Sequence, residues 1–307
     1  MTKVFIDGSA GTTGLRINER LSQRADIDLL ILPDEIRKDV NARREALNSA
    51  DIAFLCLPDS AAIEAVSLVS NPNTAIIDTS TAHRTNEVFE YGFPELTDRR
   101  ERIAKSKRIA NPGCHASGFV ALVEPLINAG LISPDARLTC FSITGYSGGG
   151  KQMIAGYGDE NRSPYLDAPR QYGLTQTHKH LKEMAKITGL NSLPCFSPIV
   201  ADFYSGMEVT VPLFKEDLKG TIQNIREIYK ERYNSKIVHF CETPDEGGFM
   251  SANAYSDRDD MEISVLGNED RMILTARFDN LGKGASGSAI QNMNILLGLP
   301  EETGLNV

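Results

Sequence analysis

Three glycines, Gly8, Gly11 and Gly14, follow the apolar run 3–6 (KVFI) and open a helical stretch that extends from 12 to about 24. No other feature of the chain restricts its fold as much. A strand that ends on such a turn and passes straight into a helix leaves backbone N–H groups and the helix N-terminus uncovered by side chains, the geometry that receives a pyrophosphate. The reading is a dinucleotide site on Gly8, Ser9, Gly11, Thr12, Thr13 and Gly14, weighed against a plain loop that needs glycine conformations. The residues leave the choice of dinucleotide open. Asp34 lies 20 residues after Gly14, where an acid can take a ribose hydroxyl, but Arg37 and Lys38 come next and would neutralise a 2′-phosphate.

Apolar runs recur at 27–32, 51–57, 74–78 and 107–110, separated by segments such as 59–69 that suit helices. This alternation predicts a parallel sheet covered on both faces. The pattern changes at Cys114. Phe119, Leu122, Val123, Leu126 and Ile127 share one stripe of an amphipathic helix, with Gly130 as its stop. Strand-like runs at 137–143, 207–213, 236–241, 261–266 and 271–278 then mix with helices near 177–188 and 217–233. A last helix, 284–298, returns apolar residues for the first domain. The expected fold is α/β: a Rossmann-type dinucleotide-binding domain from 1–114 and 284–307, with an inserted α+β domain, 115–283, on a mainly antiparallel sheet.

Length supports this division, since 307 residues is about two domains' worth of chain. The 32 basic and 41 acidic residues leave a net charge of -9, the opposite of a phosphate-neutralising surface, so nucleic acid is not an expected partner. The uncharged stretch 284–300 is broken by serines, asparagines and a glutamine and is no membrane span. The start of the chain carries no signal-peptide pattern, and a cytoplasmic protein is expected. Five scattered cysteines with no Cys-x-x-Cys pair predict reduced thiols and no metal site.

Cys114 stands out among those thiols. Asn111-Pro112-Gly113 places it in the first turn of the stripe-bearing helix, where unpaired N–H groups and the helix dipole favour a thiolate and lower a thiol pKa from about 8.5. Cys56, inside an apolar strand, suits the alternative of a small packed residue. A nicotinamide exchanges hydride and a thiolate forms acyl adducts, so together they interconvert an acyl phosphate and an aldehyde through a thioester.

The chain resembles the N-acetyl-γ-glutamyl-phosphate reductase family of arginine biosynthesis, in its shorter form. The resemblance runs through the glycine turn, Asp78-Thr79-Ser80-Thr81-Ala82-His83-Arg84, Tyr91-Gly92-Phe93-Pro94-Glu95-Leu96, Asn111-Pro112-Gly113-Cys114, Gly145-Tyr146-Ser147-Gly148-Gly149-Gly150-Lys151, and Asp279-Asn280-Leu281-Gly282-Lys283-Gly284-Ala285-Ser286-Gly287. It is similar, more distantly, to aspartate-semialdehyde dehydrogenase in fold and mechanism. The resemblance implies NADP as cofactor, with Asn280 beside it. It also implies Cys114 as nucleophile, an acyl-phosphate substrate, inorganic phosphate as the second product, and a homodimer or homotetramer. Where the longer form has a Pro-His element, Ile199 follows Pro198 here, so the acid/base histidine is expected from His178-Lys179-His180. His180 is preferred because His178 shares a helix stripe with Leu181 and Ala185. Arg84, Asn111 and Lys151 are candidate substrate contacts; His83 and His115 carry less weight, and the acidic stretch 257–262 reads as a solvated loop. Aspartyl or aminoadipyl phosphate is the alternative substrate, and an NADP-sensing protein with a redox-active Cys114 the alternative of another kind.

Overall fold

A computed structural model describes residues 1–244 and 246–307. They form two compact units. The first comprises Met1–Pro94, Asp98–Pro112 and Ala285–Leu305, and the second Glu95–Thr97, Gly113–Gly284 and Asn306–Val307. Cys114 therefore opens the second unit instead of closing the first.

In the first unit β1 (Thr2–Asp7), α1 (Thr12–Leu21), β2 (Ile27–Leu30), α2 (Val40–Ser49), β3 (Ile52–Leu55), α3 (Asp59–Ser67), β4 (Ala75–Asp78), β5 (Glu90–Tyr91), α4 (Arg99–Lys105) and β6 (Arg108–Ala110) follow in turn. The strands make one parallel sheet in the order β2-β1-β3-β4-β6-β5. Both of its faces are covered, which is why its strands read as unbroken apolar runs. Val4, Ile6, Ile52, Phe54 and Ile77 meet Ile17, Leu21 and Ile103 on one face; Phe5, Ala53, Leu55 and Ile76 meet Ala46, Leu47, Ala62 and Ala65 on the other. The jump from β2 to β3 across β1 reverses the strand order, and ligands bind at the carboxyl ends of strands at such a reversal.

The second unit comprises α5 (Cys114–Asn128), β7 (Thr139–Gly145), α6 (Gly150–Gly158), β8 (Arg170–Gln171), α7 (His180–Thr188), β9 (Cys195–Ala201), β10 (Met207–Phe214), α8 (Ile222–Arg232), β11 (Val238–Phe240), β12 (Met261–Gly267) and β13 (Arg271–Phe278). Its sheet runs β11-β12-β13-β10-β7-β9-β8. Four of its pairings are antiparallel, while β7–β9 and β11–β12 are parallel. Met207, Val209, Val211 and Leu213 all point into the core. Gly118 lets α5 settle on this sheet, because a Cβ there would meet Val209 Cγ2 at 2.5 Å. Apart from its ends, α5 is buried nearly all round, not along the single stripe its sequence suggests. It ends as expected at Gly130, whose φ of +72° is the left-handed stop glycine tolerates.

The acidic stretch 257–262 is no solvated loop. Asp259, Asp260 and Glu262 are buried; Arg258 pairs with Asp260 at 2.7 Å and Arg277 with Glu262 at 2.8 Å. Finally α9 (Gly287–Leu296) returns Ala289, Ile290 and Met293 to the core of the first unit. Among the described residues no helix is long and apolar enough to cross a membrane.

Candidate active site

Two of the three glycines of the turn are required by close contacts, while Gly11, with φ -75° and a nearest contact of 3.5 Å for an added Cβ, is not. Gly8 has φ +90°, and a Cβ on it would lie 2.3 Å from the Cys56 carbonyl oxygen; one on Gly14 would lie 2.5 Å from the Gly8 oxygen. No larger residue fits either place. The α1 ladder begins with Leu15 N–H to Gly11 O at 2.8 Å, so the N–H groups of residues 12–14 precede it, with Thr12 and Thr13 in the first turn. Beside the turn lies a cavity of ≈ 460 Å³, lined by Asp7, Gly8, Ser9, Gly11, Leu29 to Leu32, Arg37, Lys38 and Arg43. A glycine cradle, a helix start and cations at the rim fit the phosphates of a dinucleotide. Asp34 does not line this cavity; its carboxylate is exposed and sits 3.4 Å from Arg37 Nε. Arg43, unforeseen from sequence, crosses the wall to Asp7 at 3.0 Å and Glu64 at 2.9 Å.

Cys114 and the residues around it, Gly113, Ser117, Glu183 and Gly284, belong to the second unit. Gly113 caps α5 in an extended conformation, and Ser117 N–H to Gly113 O at 2.8 Å begins the helical ladder. The N–H groups of residues 114–116 therefore precede the ladder, as a site for developing negative charge requires. Glu183 of α7, 2% exposed, accepts the Gly113 N–H at 2.8 Å and so fixes where the helix begins. Gly284 packs close to Cys114: a Cβ there would come within 3.0 Å of Cys114 Cβ. Burial pushes the thiol pKa of Cys56 up to about 12 and that of Cys140 higher still, which disfavours a thiolate at either.

The histidines are arranged differently from the sequence expectation. The helix begins at His180, not at 177, so His178 lies outside it and the argument from a shared stripe with Leu181 fails. His178 Nδ1 instead accepts the His180 N–H at 3.2 Å. His180 is 5% exposed and His178 half-buried, their rings 4.7 Å apart. Burial, helped by the Lys179 charge, lowers the His178 pKa. Both rings approach His115, which sequence reasoning had set aside: His178 at 5.8 Å and His180 at 5.6 Å.

Three expected ligand contacts are occupied by the protein itself. Arg84 is buried, with Nε donating to the Asn111 carbonyl at 2.9 Å and Nη2 to the Thr79 carbonyl at 2.9 Å. Asn111 is 1% exposed; its Nδ2 donates to Ala285 O at 2.9 Å and its Oδ1 accepts from Asn292 Nδ2 at 3.2 Å. These two hold the segment that leads to Cys114. Asn280 spends its amide on Gly206 N–H and Ser147 Oγ, at 2.9 and 3.0 Å. Lys151, exposed near the start of α6, keeps its ammonium at the surface.

The comparisons agree with one another. Residues 33–106 match the family described as semialdehyde dehydrogenase, NAD binding domain, and residues 114–280 that described as semialdehyde dehydrogenase, dimerisation domain. N-acetyl-gamma-glutamyl-phosphate reductase 2 of a Nostoc strain is 44% identical over 99% of this chain and 99% of its own length. The N-acetyl-gamma-glutamyl-phosphate reductase of Brucella suis is 44% identical over 96% of this chain and 99% of its own. Among solved structures, aspartate semialdehyde dehydrogenase II of Vibrio cholerae, complexed with ASA, superposes with a TM-score of 0.73 at 15% identity, covering 97% of this chain and 98% of that one. The Candida albicans aspartate semialdehyde dehydrogenase with NADP gives 0.68 at 14% identity, covering 97% and 98%. These two likenesses speak for the fold.

Proposed function

The chain belongs to the N-acetyl-gamma-glutamyl-phosphate reductase family of semialdehyde dehydrogenases, and from that premise we propose that it reduces N-acetyl-γ-glutamyl phosphate to N-acetylglutamate semialdehyde, with NADP as its cofactor, in arginine biosynthesis. The observation that carries the reading is Cys114 at the start of α5, beside three clustered histidines.

Cys114 Sγ attacks the γ-acyl carbon, the carbon–phosphate oxygen bond breaks, and inorganic phosphate leaves a thioester. Charge that develops on the carbonyl oxygen falls against the N–H groups at the helix start, whose dipoles are already aligned. NADPH supplies, when bound, the hydride equivalent that takes the thioester to the aldehyde level; the glycine turn, Ser9, Thr12, Thr13, Arg37 and Lys38 would hold it. His180 gives a proton to the reduced carbon's oxygen and recovers it as the aldehyde departs and the Cys114 thiolate re-forms. Lys151 is the remaining candidate for a substrate anion. Because Cys114 must stay reduced, a cytoplasmic setting suits the reaction. The outer sheet face, with Phe141, Ile273 and Phe214 exposed, suits a second copy of the chain in a homodimer or homotetramer.

The test is NADP reduction in the presence of the semialdehyde and phosphate. Cys114→Ser is expected to abolish it while NADP binding persists, since an un-ionised hydroxyl is the poorer nucleophile. Normal turnover in that variant removes the thioester route, and loss of NADP binding makes Cys114 structural. Aspartate semialdehyde serves as the competing substrate in the same assay.

A further inference from the structure

The segment 172–179, between β8 and α7, carries His178 and leads into His180, yet it contains no helix or strand of its own. It is held along one edge of β9. There β8 pairs antiparallel through Arg170 opposite Val200 and Gln171 opposite Ile199, and the Tyr172 N–H continues the row to the Pro198 carbonyl at 3.0 Å. The backbone then turns away at Gly173, whose φ is +63°. Phe196 is the next residue along that edge, since the Cys195 N–H is spent on the opposite side, on Leu138 O at 2.9 Å. A buried edge needs partners for its N–H and C=O. Gln176 supplies both from its side chain: Nε2 donates to the Phe196 carbonyl at 2.7 Å, and Oε1 accepts the Phe196 N–H at 2.9 Å. A carboxamide that donates and accepts in this way is the side-chain counterpart of a paired strand residue.

The backbone of Gln176 reflects the same constraint. Its φ of +56° lies in the left-handed region, where a Cβ crowds the following carbonyl. Among the described residues the other non-glycine positions there are Asp98 and Asp257, and aspartate enters that region more readily than glutamine. Such a conformation persists where surrounding contacts over-determine it. Here they are the two bonds to Phe196 and the Gln176 N–H to the Gly173 carbonyl at 3.0 Å, which closes the turn. Phe196 is also where the histidines meet. Its ring, 1% exposed, lies 5.2 Å from that of His178 and 5.3 Å from that of His115. The start of the segment is pinned by Tyr172, whose Oη lies 2.6 Å from His115 Nε2, while His115 Nδ1 lies 2.6 Å from Ser142 Oγ in the inward row of β7.

We propose that Gln176 is a positioning residue for the histidines: its amide takes the place of a strand residue opposite Phe196 and fixes the turn that sets His178 against Phe196 and His180 at the start of α7. The proposal rests on the reading of this histidine pair as the source of the acid/base group. Two residues separate Gln176 from His178, so a backbone shift at 176 passes to His178 and, through its Nδ1, to the His180 N–H that it accepts. The amide brings no charge to the site, and its contribution is orientation alone.

The experiment records histidine-ring NMR spectra of the full-length protein, whose five histidines include two internal references, His83 in the first unit and His239 on β11. Gln176→Met keeps the reach of the side chain and removes both bonds. Gln176→Asn keeps an amide and suits a left-handed φ but falls one methylene short, and Gln176→Gly removes the strain together with the amide. Gln176 is exposed, so none of these empties a core. All three are expected to displace the His178 and His180 signals and leave His83 and His239 unmoved. Turnover in each is expected to fall about tenfold at unchanged KM, within the range that a misplaced reacting group costs. Unmoved His178 and His180 signals in Gln176→Met overturn the proposal, and unmoved signals in Gln176→Gly overturn it by assigning the role to the backbone. Displacement of His83 and His239 as well makes Gln176 a general stabilising residue and overturns it too. The spectra need no substrate, so a wild-type protein that fails to reduce NADP refutes the reductase reading without touching this one.

Discussion

Replacing Arg37 and Lys38 together by alanine should weaken NADP while leaving NAD nearly untouched. Both side chains line the cavity beside the glycine turn, and the third cation there, Arg43, is committed to Asp7 and Glu64. The 2′-phosphate is the only charge by which the two dinucleotides differ, so only NADP loses a partner. The Arg37 side chain is 42% exposed and Lys38 is exposed, which places each attraction in the range of a solvent-screened pair, about 0.2–1 kcal/mol. Two such pairs against a group of nearly two negative charges give about 1–2 kcal/mol, or roughly 5- to 30-fold in the NADP dissociation constant. Asp34 sharpens the test. Its carboxylate competes with the phosphate for Arg37 at 3.4 Å, so Asp34→Asn should tighten NADP by about 2- to 5-fold, the opposite direction. Calorimetric titration of both dinucleotides at about 0.05 and about 0.5 M salt checks all three expectations, and the NADP effects should shrink at the higher salt as the screening length shortens. Equal losses for NAD and NADP, or a weaker NADP complex in Asp34→Asn, would refute the assignment.

Lys283 is fully buried with its ammonium on Glu95, so Lys283→Met strands a buried carboxylate and should cost about 3–5 kcal/mol in urea unfolding. The double variant with Glu95→Leu should recover most of that loss, and a double variant no better than the single one would place the damage in packing instead of charge. His180→Asn should lower turnover while Cys114 alkylation persists; an unaffected rate beside a crippled His178→Asn transfers the proton role to His178. His115 makes stability pH-dependent: its pKa falls from 6.5 unfolded to about 3 folded, so the unfolded chain binds the extra proton and stability declines as pH drops below 6.5 toward 3. The contribution is about 1.4 kcal/mol per pH unit within that window. Urea midpoints between pH 6.5 and 5 should decline less steeply in His115→Gln, and an identical slope would contradict the neutral buried ring.

The first unit was legible because its signals are local. Its strands other than β5 are short apolar runs beside glycine or proline punctuation, and Gly8 and Gly14 of the phosphate turn are demanded by contacts with Cys56 and Gly8 only a strand or a turn away. What escaped lacks a local signature. The α2 helix buries one short face, Arg43, Ala46 and Leu47, in which a charged residue hides the apolar stripe, and β5 is two residues long. In the second unit β9 contains Pro198, a residue that argues against a strand, and is tolerated there as β9 pairs with β7 in parallel and with the short β8. The acidic stretch looked solvated because a countercharge, Arg277, arrives on β13, fifteen residues after Glu262, through pairing that no window of sequence displays.

The thiol site shows the same limit from the side of chemistry. The place of Cys114 in the first turn of a helix was readable from sequence since its setting, a Gly-Cys at the start of an apolar helix, is wholly local. The places of the histidines were not, because choosing His180 over His178 assumed one continuous helix, and that helix begins only at His180, where the His178 imidazole receives its N–H. A histidine used as a cap breaks the periodicity by which a histidine on a face would be recognised. His115 was hidden by the converse effect. On a helix buried nearly all round, its position looks like any other core position, and only the two hydroxyls brought to it by β7 and by the segment after β8 reveal that this core site is polar by design of its partners. Such a residue becomes legible from sequence only when strand parity is known: Ser142 shares the inward row with Cys140 and Thr144, and an inward hydroxyl implies a buried acceptor or donor on the helix above it.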